Sequence, residues 1–228
     1  MDYTNLSSEH ISNHIDRIVD VTKSIEPGKV TILTGSNSSG KSVVRKQLVF
    51  TIMEKLGLDK SPIATISMEK RTNGCSSLFG TGLDHMLSDL PWDSTSNASV
   101  GTIVSMMNSL VIKEDEKNRD NKKAFIVIDE IEIGMSREMQ VGICNYLNEI
   151  FEKYLGNCYG VVVITHSETI VKNLKHDMFI NIDGMTEDEW LNREIVPITP
   201  QQISEWSMAL FRGIRDRSAE NKKKKNKK

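Results

Sequence analysis

The feature that most restricts the fold is a loop of eight residues between a short apolar run and a helical segment. The loop, Gly35–Ser42, reads Gly-Ser-Asn-Ser-Ser-Gly-Lys-Ser and matches G-x-x-x-x-G-K-[ST] at every fixed position. The β-branched run Val30–Thr34 before it predicts a buried strand, and residues 41–56 predict a helix. The glycines let backbone N–H groups converge on phosphate oxygens, and the helix N-terminus adds a favourable dipole. The sequence therefore predicts a phosphate-binding loop, in which Lys41 reaches the β- and γ-phosphates and Ser42 ligates Mg²⁺.

An acidic pair, Asp129-Glu130, ends the most apolar run of the chain, residues 124–128. The carboxyl ends of central strands form the mouth of an α/β sheet, where ligands bind. Asp129 is therefore predicted to join the Mg²⁺ shell, and Glu130 to polarise a water for in-line attack on the γ-phosphate.

A third candidate group, Thr165-His166-Ser167, follows the apolar run 161–164. A lone histidine is more often a surface or capping residue. Here three strand ends are predicted to converge, which favours contact with the γ-phosphate or the attacking water. The catalytic candidates are Lys41, Glu130 and His166, and the metal candidates are Ser42 and Asp129. The candidate nucleotide contacts in the loop are Gly35, Ser36, Asn37, Ser38, Ser39, Gly40, Lys41 and Ser42.

Apolar runs and amphipathic segments alternate along the chain. The apolar runs lie at residues 30–34, 62–68, 124–128, 161–164 and 178–182. Helical periodicity is found at residues 41–56, 136–154 and 200–217. Unbroken apolar strands separated by helices are typical of a parallel sheet covered on both faces. The predicted fold class is therefore α/β, a three-layer P-loop NTPase with a mainly parallel central sheet. Residues 8–25 fit a helix or a strand equally well.

The length of 228 residues suits one α/β domain with added segments. We expect this domain to span residues 1–198, with a polar insertion at about residues 70–123. A C-terminal helix is expected at 199–218, followed by a disordered Lys-rich tail at 219–228.

Charge, cysteines and hydropathy exclude several classes of protein. The last seven residues contain six lysines, so a net charge of −2 leaves −8 for the rest of the chain. That acidic body is unlike a DNA-coating surface, although the lysine run can attract nucleic acid in a salt-sensitive way. Three scattered cysteines give neither a disulfide framework nor a thiolate zinc cluster. No apolar stretch approaches the roughly 20 residues of a membrane span, and the first residues are unlike a secretory signal. We therefore expect a cytoplasmic protein with no membrane contact of its own.

Three stretches together resemble the ABC-type ATPase superfamily, in particular its soluble, non-transporter branch of RecF-like, SMC-like and OLD-like (overcoming lysogenization defect) proteins. Ile25–Gly35 resembles the turn and strand before the phosphate loop. Asp129–Ser136 resembles a D-E-P-E-I-G-L-H stretch, and Val161–Ser167 resembles a strand that ends in T-H-S. The likeness implies an ABC-ATPase-like fold with a reduced helical insertion. It also implies Glu130 as catalytic base, His166 as switch histidine and residues 134–136 as D-loop.

The resemblance further implies head-to-tail dimers, in which a signature loop of one subunit covers the nucleotide bound to the other. The best candidate for this loop is Ser99-Val100-Gly101-Thr102, which has the Ser and the second Gly of the signature but neither its first Gly nor its Gln. No Gln occurs over residues 48–139, so Ser67 and Glu69 are the candidates to replace the usual Q-loop ligand. The short segment between the phosphate loop and the acidic pair disfavours an SMC-like coiled-coil role.

The leading hypothesis is an ATPase that binds ATP and Mg²⁺. Its cycle would drive formation of a homodimer, or of a heterodimer with a related subunit, and switch a separate protein or nucleic-acid effector. DNA repair or antiviral defence is the setting suggested by analogy. The second hypothesis is a P-loop kinase of a small molecule or nucleotide, with Arg212, Arg215 and Arg217 as its lid. The third is a structural ATP-binding module with little turnover, which would explain the imperfect signature and the missing Gln.

Overall fold

The computed structural model describes residues 3–58, 63–67, 103–104, 107, 124–194 and 196–225. The signature candidates Ser99 and Gly101 and the Q-loop candidate Glu69 lie outside the described residues, as does most of the expected insertion. Ser67 is described only as part of a strand backbone. These assignments remain predictions.

Five strands and six helices make up the described elements. In chain order they are helix α1 (Ser8–Ser24), strand β1 (Val30–Thr34), helix α2 (Lys41–Leu56), strand β2 (Ile63–Ser67), strand β3 (Phe125–Asp129), helix α3 (Arg137–Tyr154), strand β4 (Gly160–Ile164), helix α4 (Glu168–Asn173), strand β5 (Met178–Asn181), helix α5 (Glu187–Leu191) and helix α6 (Pro200–Lys225). A single 3₁₀ turn, Leu155–Asn157, joins α3 to β4. All five predicted strands are confirmed, as is the α/β class.

The strands form one all-parallel sheet in the order β2-β3-β4-β1-β5. Ile128 of β3 lies opposite Ile66 of β2 and Val163 of β4, and Leu33 of β1 lies opposite Ile164. Every residue of β4 is buried, as expected for a strand covered on both faces. The carboxyl ends of β1, β3 and β4 therefore lie side by side along one edge of the sheet.

The chain divides into two compact units. The first, here called the loop unit, comprises Met1–Ile25, Gly35–Gln47 and Ile180–Lys228. The second, here called the sheet unit, comprises Glu26–Thr34 and Leu48–Phe179.

In the sheet unit, α3 buries one apolar face. Ile143, Cys144 and Leu147 are buried, and Val141 is only half-buried. Ser136 is the N-cap, since its hydroxyl accepts the Met139 N–H. Burial raises the pKa of the Cys144 thiol to about 12, so this cysteine is a packing residue rather than a nucleophile.

In the loop unit, Ser8–Ser24 form helix α1 and Ile25 is its C-cap, which settles the ambiguity of residues 8–25 in the sequence. Ser7 caps α1 by accepting the His10 N–H, and the buried face of α1 includes Ile15 and Ile18. Helix α6 begins where predicted but continues to Lys225, because Ala, Glu and Lys in its last two turns are good helix formers. Among the described residues, no helix has the length and apolar character needed to cross a membrane.

Candidate functional site

The loop Gly35–Ser42 follows β1 directly and opens α2. The Ser39 N–H donates to the Ser36 carbonyl at 3.1 Å, and the Val43 and Val44 N–H groups donate to the Gly40 carbonyl. This curl requires positive φ angles of 59° at Ser38 and 103° at Gly40. Glycine adopts such an angle at no steric cost, whereas serine does not.

The Lys41 side chain bends back across the loop instead of extending into solvent. Its Nζ donates to the carbonyl oxygens of Gly35 and Ser36, both at 3.0 Å, and Lys41 is only 8% exposed. These two hydrogen bonds fix the ammonium group against the loop backbone, next to the N-terminus of α2. A fixed cation at such a position favours a bound anion. Ser42 lies exposed in the first turn of α2.

The Ser39 hydroxyl of the loop is a buried polar group that makes no hydrogen bond with the described residues. Leaving a buried hydroxyl unsatisfied costs about 1–3 kcal/mol. A phosphate oxygen in the loop would satisfy it, so the residues present fit a phosphate-bearing ligand.

Asp183, which follows β5, anchors the first turn of the loop. Its Oδ2 accepts both the Ser36 N–H and the Ser36 hydroxyl at 2.7 Å. The turn that carries Asp183 is itself fixed, because the Asn181 side chain accepts the Asp183 and Met185 N–H groups. Arg17 of α1 donates to the Asp183 carbonyl at 2.8 Å. Asp183 was not among the predicted site residues; its place just after a predicted strand is the signal that the sequence offers.

Three further side chains hold the loop from the two ends of the chain. Tyr3 donates its hydroxyl to the Asn37 carbonyl at 2.5 Å, and the Ser207 and Ser38 hydroxyls are hydrogen-bonded at 2.7 Å. His14 Nε2 lies 2.7 Å from the Ser39 carbonyl, which requires the proton on Nε2. Burial lowers the pKa of His14, so the neutral ring is favoured. No motif marks these residues in the sequence.

In the sheet unit, Asp129 ends β3 as predicted, and Glu130 leaves the strand with an unusual backbone. Its φ is 53°, and its N–H donates to the Ile164 carbonyl of β4 at 2.8 Å. Glu130 Oε1 lies 3.4 Å from His166 Nε2, with both side chains about one-third exposed. The ends of two adjacent strands therefore bring the Glu130 carboxylate and the His166 imidazole together. A carboxylate beside an imidazole is suited to accepting a proton or orienting a water.

Side chains of the segment after Glu130 position the backbone of His166. Glu132 Oε1 accepts the His166 N–H at 2.7 Å. Gln140 accepts the Ser167 hydroxyl at 2.5 Å and donates to the Met135 carbonyl at 3.1 Å. Ser167 in turn caps α4 by accepting the Ile170 N–H. Residues 165–167 are thus fixed against the turn that includes the D-loop candidate, residues 134–136.

No described group of three or more His, Cys, Asp or Glu side chains is arranged to hold a metal ion. The predicted Mg²⁺ ligands, Ser42 and Asp129, are one hydroxyl and one carboxylate. Each is an oxygen donor, the ligand type that Mg²⁺ takes in proteins.

The chain was also compared with known proteins. No protein-family model matches it, and no curated protein does.

Proposed function

We propose that the chain is a Mg²⁺-dependent ATPase of the ABC type with a three-layer P-loop fold. The observation that carries the proposal is the pairing of Glu130 with His166 at the ends of adjacent parallel strands. Glu130 holds an energetically costly positive φ to present its carboxylate there. Strain at a non-glycine residue is concentrated at functional sites, and an ordinary strand end does not require it.

The phosphate loop supports a nucleoside triphosphate as the ligand. Lys41 is assigned to the β- and γ-phosphates, and the remaining loop residues to phosphate oxygens through their N–H groups. Ser42 and Asp129 are assigned to Mg²⁺, which neutralises charge on the phosphates when bound. The Lys41 and Ser42 assignments use the residue types that the G-x-x-x-x-G-K-[ST] loop requires for these ligands.

Hydrolysis is assigned to Glu130 and His166. The Glu130 carboxylate accepts a proton as the oxygen of a water forms a bond to the γ-phosphorus. The bond between the γ-phosphorus and the bridging oxygen breaks, and the electron pair leaves on ADP. His166 orients the same water or contacts the γ-phosphate, and Glu132 holds the His166 backbone in place.

The resemblance to soluble ABC-type proteins extends the proposal to ATP-dependent dimerisation, with Ser99 and Gly101 covering the nucleotide of a second subunit. On this hypothesis ATP joins two copies, or one copy and a related subunit. Hydrolysis then releases them and switches a protein or nucleic-acid effector.

The proposal is tested with Glu130→Gln, which keeps the shape of the side chain but cannot accept the proton. We expect kcat to fall about 10²–10⁴-fold, while the affinity for ATP is retained and the mass in solution doubles with Mg·ATP. Glu149→Gln, an exposed change on α3, is the matched control and should leave kcat unchanged. Unchanged turnover in Glu130→Gln would refute the assignment. Turnover that requires an added acceptor would indicate a kinase, and tight binding with background turnover in the parent protein would indicate a binding module.

A further inference from the structure

Helix α6 has one face that is packed within the loop unit. Trp206 and Leu210 on this face are buried, and a Cβ added to Gly213 would lie 2.8 Å from the Ile11 side chain. Arg217 is ion-paired with Asp16 of α1. The orientation of α6 about its axis is therefore fixed, and the opposite face is presented to solvent.

That opposite face, here called the outward face of α6, consists of Met208, Phe211, Arg212 and Arg215, which lie three or four positions apart. Met208 is 49% exposed and Phe211 is 69% exposed, although such side chains are usually buried. Arg212 is exposed and has no hydrogen bond or ion pair with any described residue. Arg215 contacts the neighbouring Asp216 at 3.6 Å in an exposed pair, and pairs of this kind contribute little energy.

Positive charge increases from this face to the end of the sequence. Residues 212–228 contain nine Lys and Arg against Asp216 and Glu220, a net charge of +7, which leaves −9 for the rest of the chain. The helical backbone continues to Lys225, so Met208 to Lys225 spans about 25 Å at 1.5 Å per residue. An exposed aromatic ring thus lies at the start of a strongly basic stretch of the sequence.

We infer that the outward face of α6 binds single-stranded nucleic acid. A base stacks on Phe211, and phosphates are bound by Arg212 and Arg215. Single-strand sites combine aromatic platforms with a cationic track along the backbone, and the guanidinium group suits phosphate geometry. The bases of a duplex are already stacked on one another, so an exposed ring selects unpaired bases. This inference does not depend on ATP hydrolysis.

Two other partners fit the face less well. Stable protein interfaces have an apolar core depleted of charge, whereas two apolar side chains here are flanked by two arginines. A membrane-surface helix needs a continuous apolar face, but the continuous apolar face of α6 is the one that is packed against α1. Single-stranded nucleic acid needs only one aromatic ring for base stacking and several cations for its phosphates.

The experiment measures binding of the full chain, without nucleotide, to a fluorescent oligothymidine of about 20 nucleotides and to a duplex of equal length. We expect tighter binding to the single strand. Phe211→Ala should weaken it about 5- to 100-fold, since stacking contributes about 1–3 kcal/mol per base. Arg212→Glu should weaken binding. It should also lower the slope of log K against log salt concentration by the equivalent of about one phosphate contact or more. Phe50→Ala, at a ring that is 75% exposed on α2, and Lys153→Glu, on α3, are the matched controls and should change nothing.

Several outcomes would overturn the inference. One is an equal loss of oligonucleotide affinity in Phe211→Ala and Phe50→Ala, or in Arg212→Glu and Lys153→Glu. Equal losses would mean that the oligonucleotide does not bind specifically to the outward face of α6. Another is no binding at about 50 mM salt, or a preference for the duplex. Phe211-dependent association with anionic vesicles or with a second copy, without oligonucleotide binding, would assign the face to that partner instead. Because Phe211 and Arg212 are exposed, both variants should fold, and thermal unfolding of each checks this.

Discussion

In the described chain, the phosphate loop and the acidic strand end each contain one non-glycine residue with positive φ, Ser38 at 59° and Glu130 at 53°, but different contacts hold them. In the loop unit, the supports are side chains distant in sequence, such as Asp183 and Ser207. In the sheet unit, Glu130 is held by a main-chain bond to the adjacent strand. One strained backbone is thus imposed by tertiary packing and the other by strand register. Substitutions should therefore affect the two loops differently.

The largest effect is expected at Gly40. Its φ is 103°, and a Cβ there would lie 2.4 Å from Ile18 Cδ1, a methyl group that is fully buried. Gly40→Ala should lower the free energy of unfolding by about 3 kcal/mol or more, from backbone strain and overpacking together. Gly28→Ala in the sheet unit has a φ of 78° but nothing within 4 Å, so it should cost only the backbone strain. Urea unfolding of both variants measures the difference.

Ile18→Val tests whether packing causes the loss, because it deletes the clashing methyl group. Alone it should cost about 0.5–1.5 kcal/mol, yet in the Gly40→Ala background it should recover stability. Strictly additive losses in this double-mutant cycle would show that α1 does not constrain the loop.

An intermediate effect is expected at Asp183, which accepts two hydrogen bonds from Ser36. Asp183→Ala should cost about 2 kcal/mol, since it leaves two donors unpaired. Asp177 is the counterpart in the sheet unit, where its Oδ2 accepts one bond, from the Val30 N–H at 2.8 Å. Asp177→Ala should cost about 1 kcal/mol. Equal losses in thermal or urea unfolding would argue that Asp183 is not an anchor.

The smallest effect should appear when the two strained residues are changed to glycine. Glu130→Gly should raise the free energy of unfolding by about 0.5–1 kcal/mol, because glycine tolerates the positive φ. Ser38→Gly should gain less, since it also removes the hydroxyl that bonds Ser207. Both are measured by chemical denaturation. A less stable Glu130→Gly protein would mean that the Glu130 side chain stabilises the fold rather than straining it.

Much of the sheet unit was predictable because short-range rules govern it. Unbroken apolar runs indicated all five strands, and their predicted parallel arrangement placed the strand ends that carry Glu130 and His166 at one edge of the sheet. The strand order that makes these two residues neighbours could not be read from the runs. Residues 8–25 were not predictable, because Ile11, Ile15 and Ile18 fit a helix while Ile18–Val21 also fits a strand. Packing of α1 against α6 decides this conformation, and local sequence does not encode that contact.

The supports of the phosphate loop were missed for the same reason. Asp183-Gly184 reads locally as a turn, and His14 and Ser207 read as helix positions. Their role depends on contacts with residues 25 to 169 positions away. The signature candidate Ser99–Thr102 lies outside the described residues, so it remains a prediction.

The placement of the loop supports has a consequence for how the protein is made. Synthesis proceeds from the N-terminus at about 5–20 residues per second, and the last strand of the sheet is complete at Asn181. Gly40 packs near Leu210, which leaves the ribosome later still. A nascent chain therefore carries the whole G-x-x-x-x-G-K-[ST] motif well before it can assemble the surroundings that hold the motif in shape, so the loop can reach its folded conformation only after the final helix has been made.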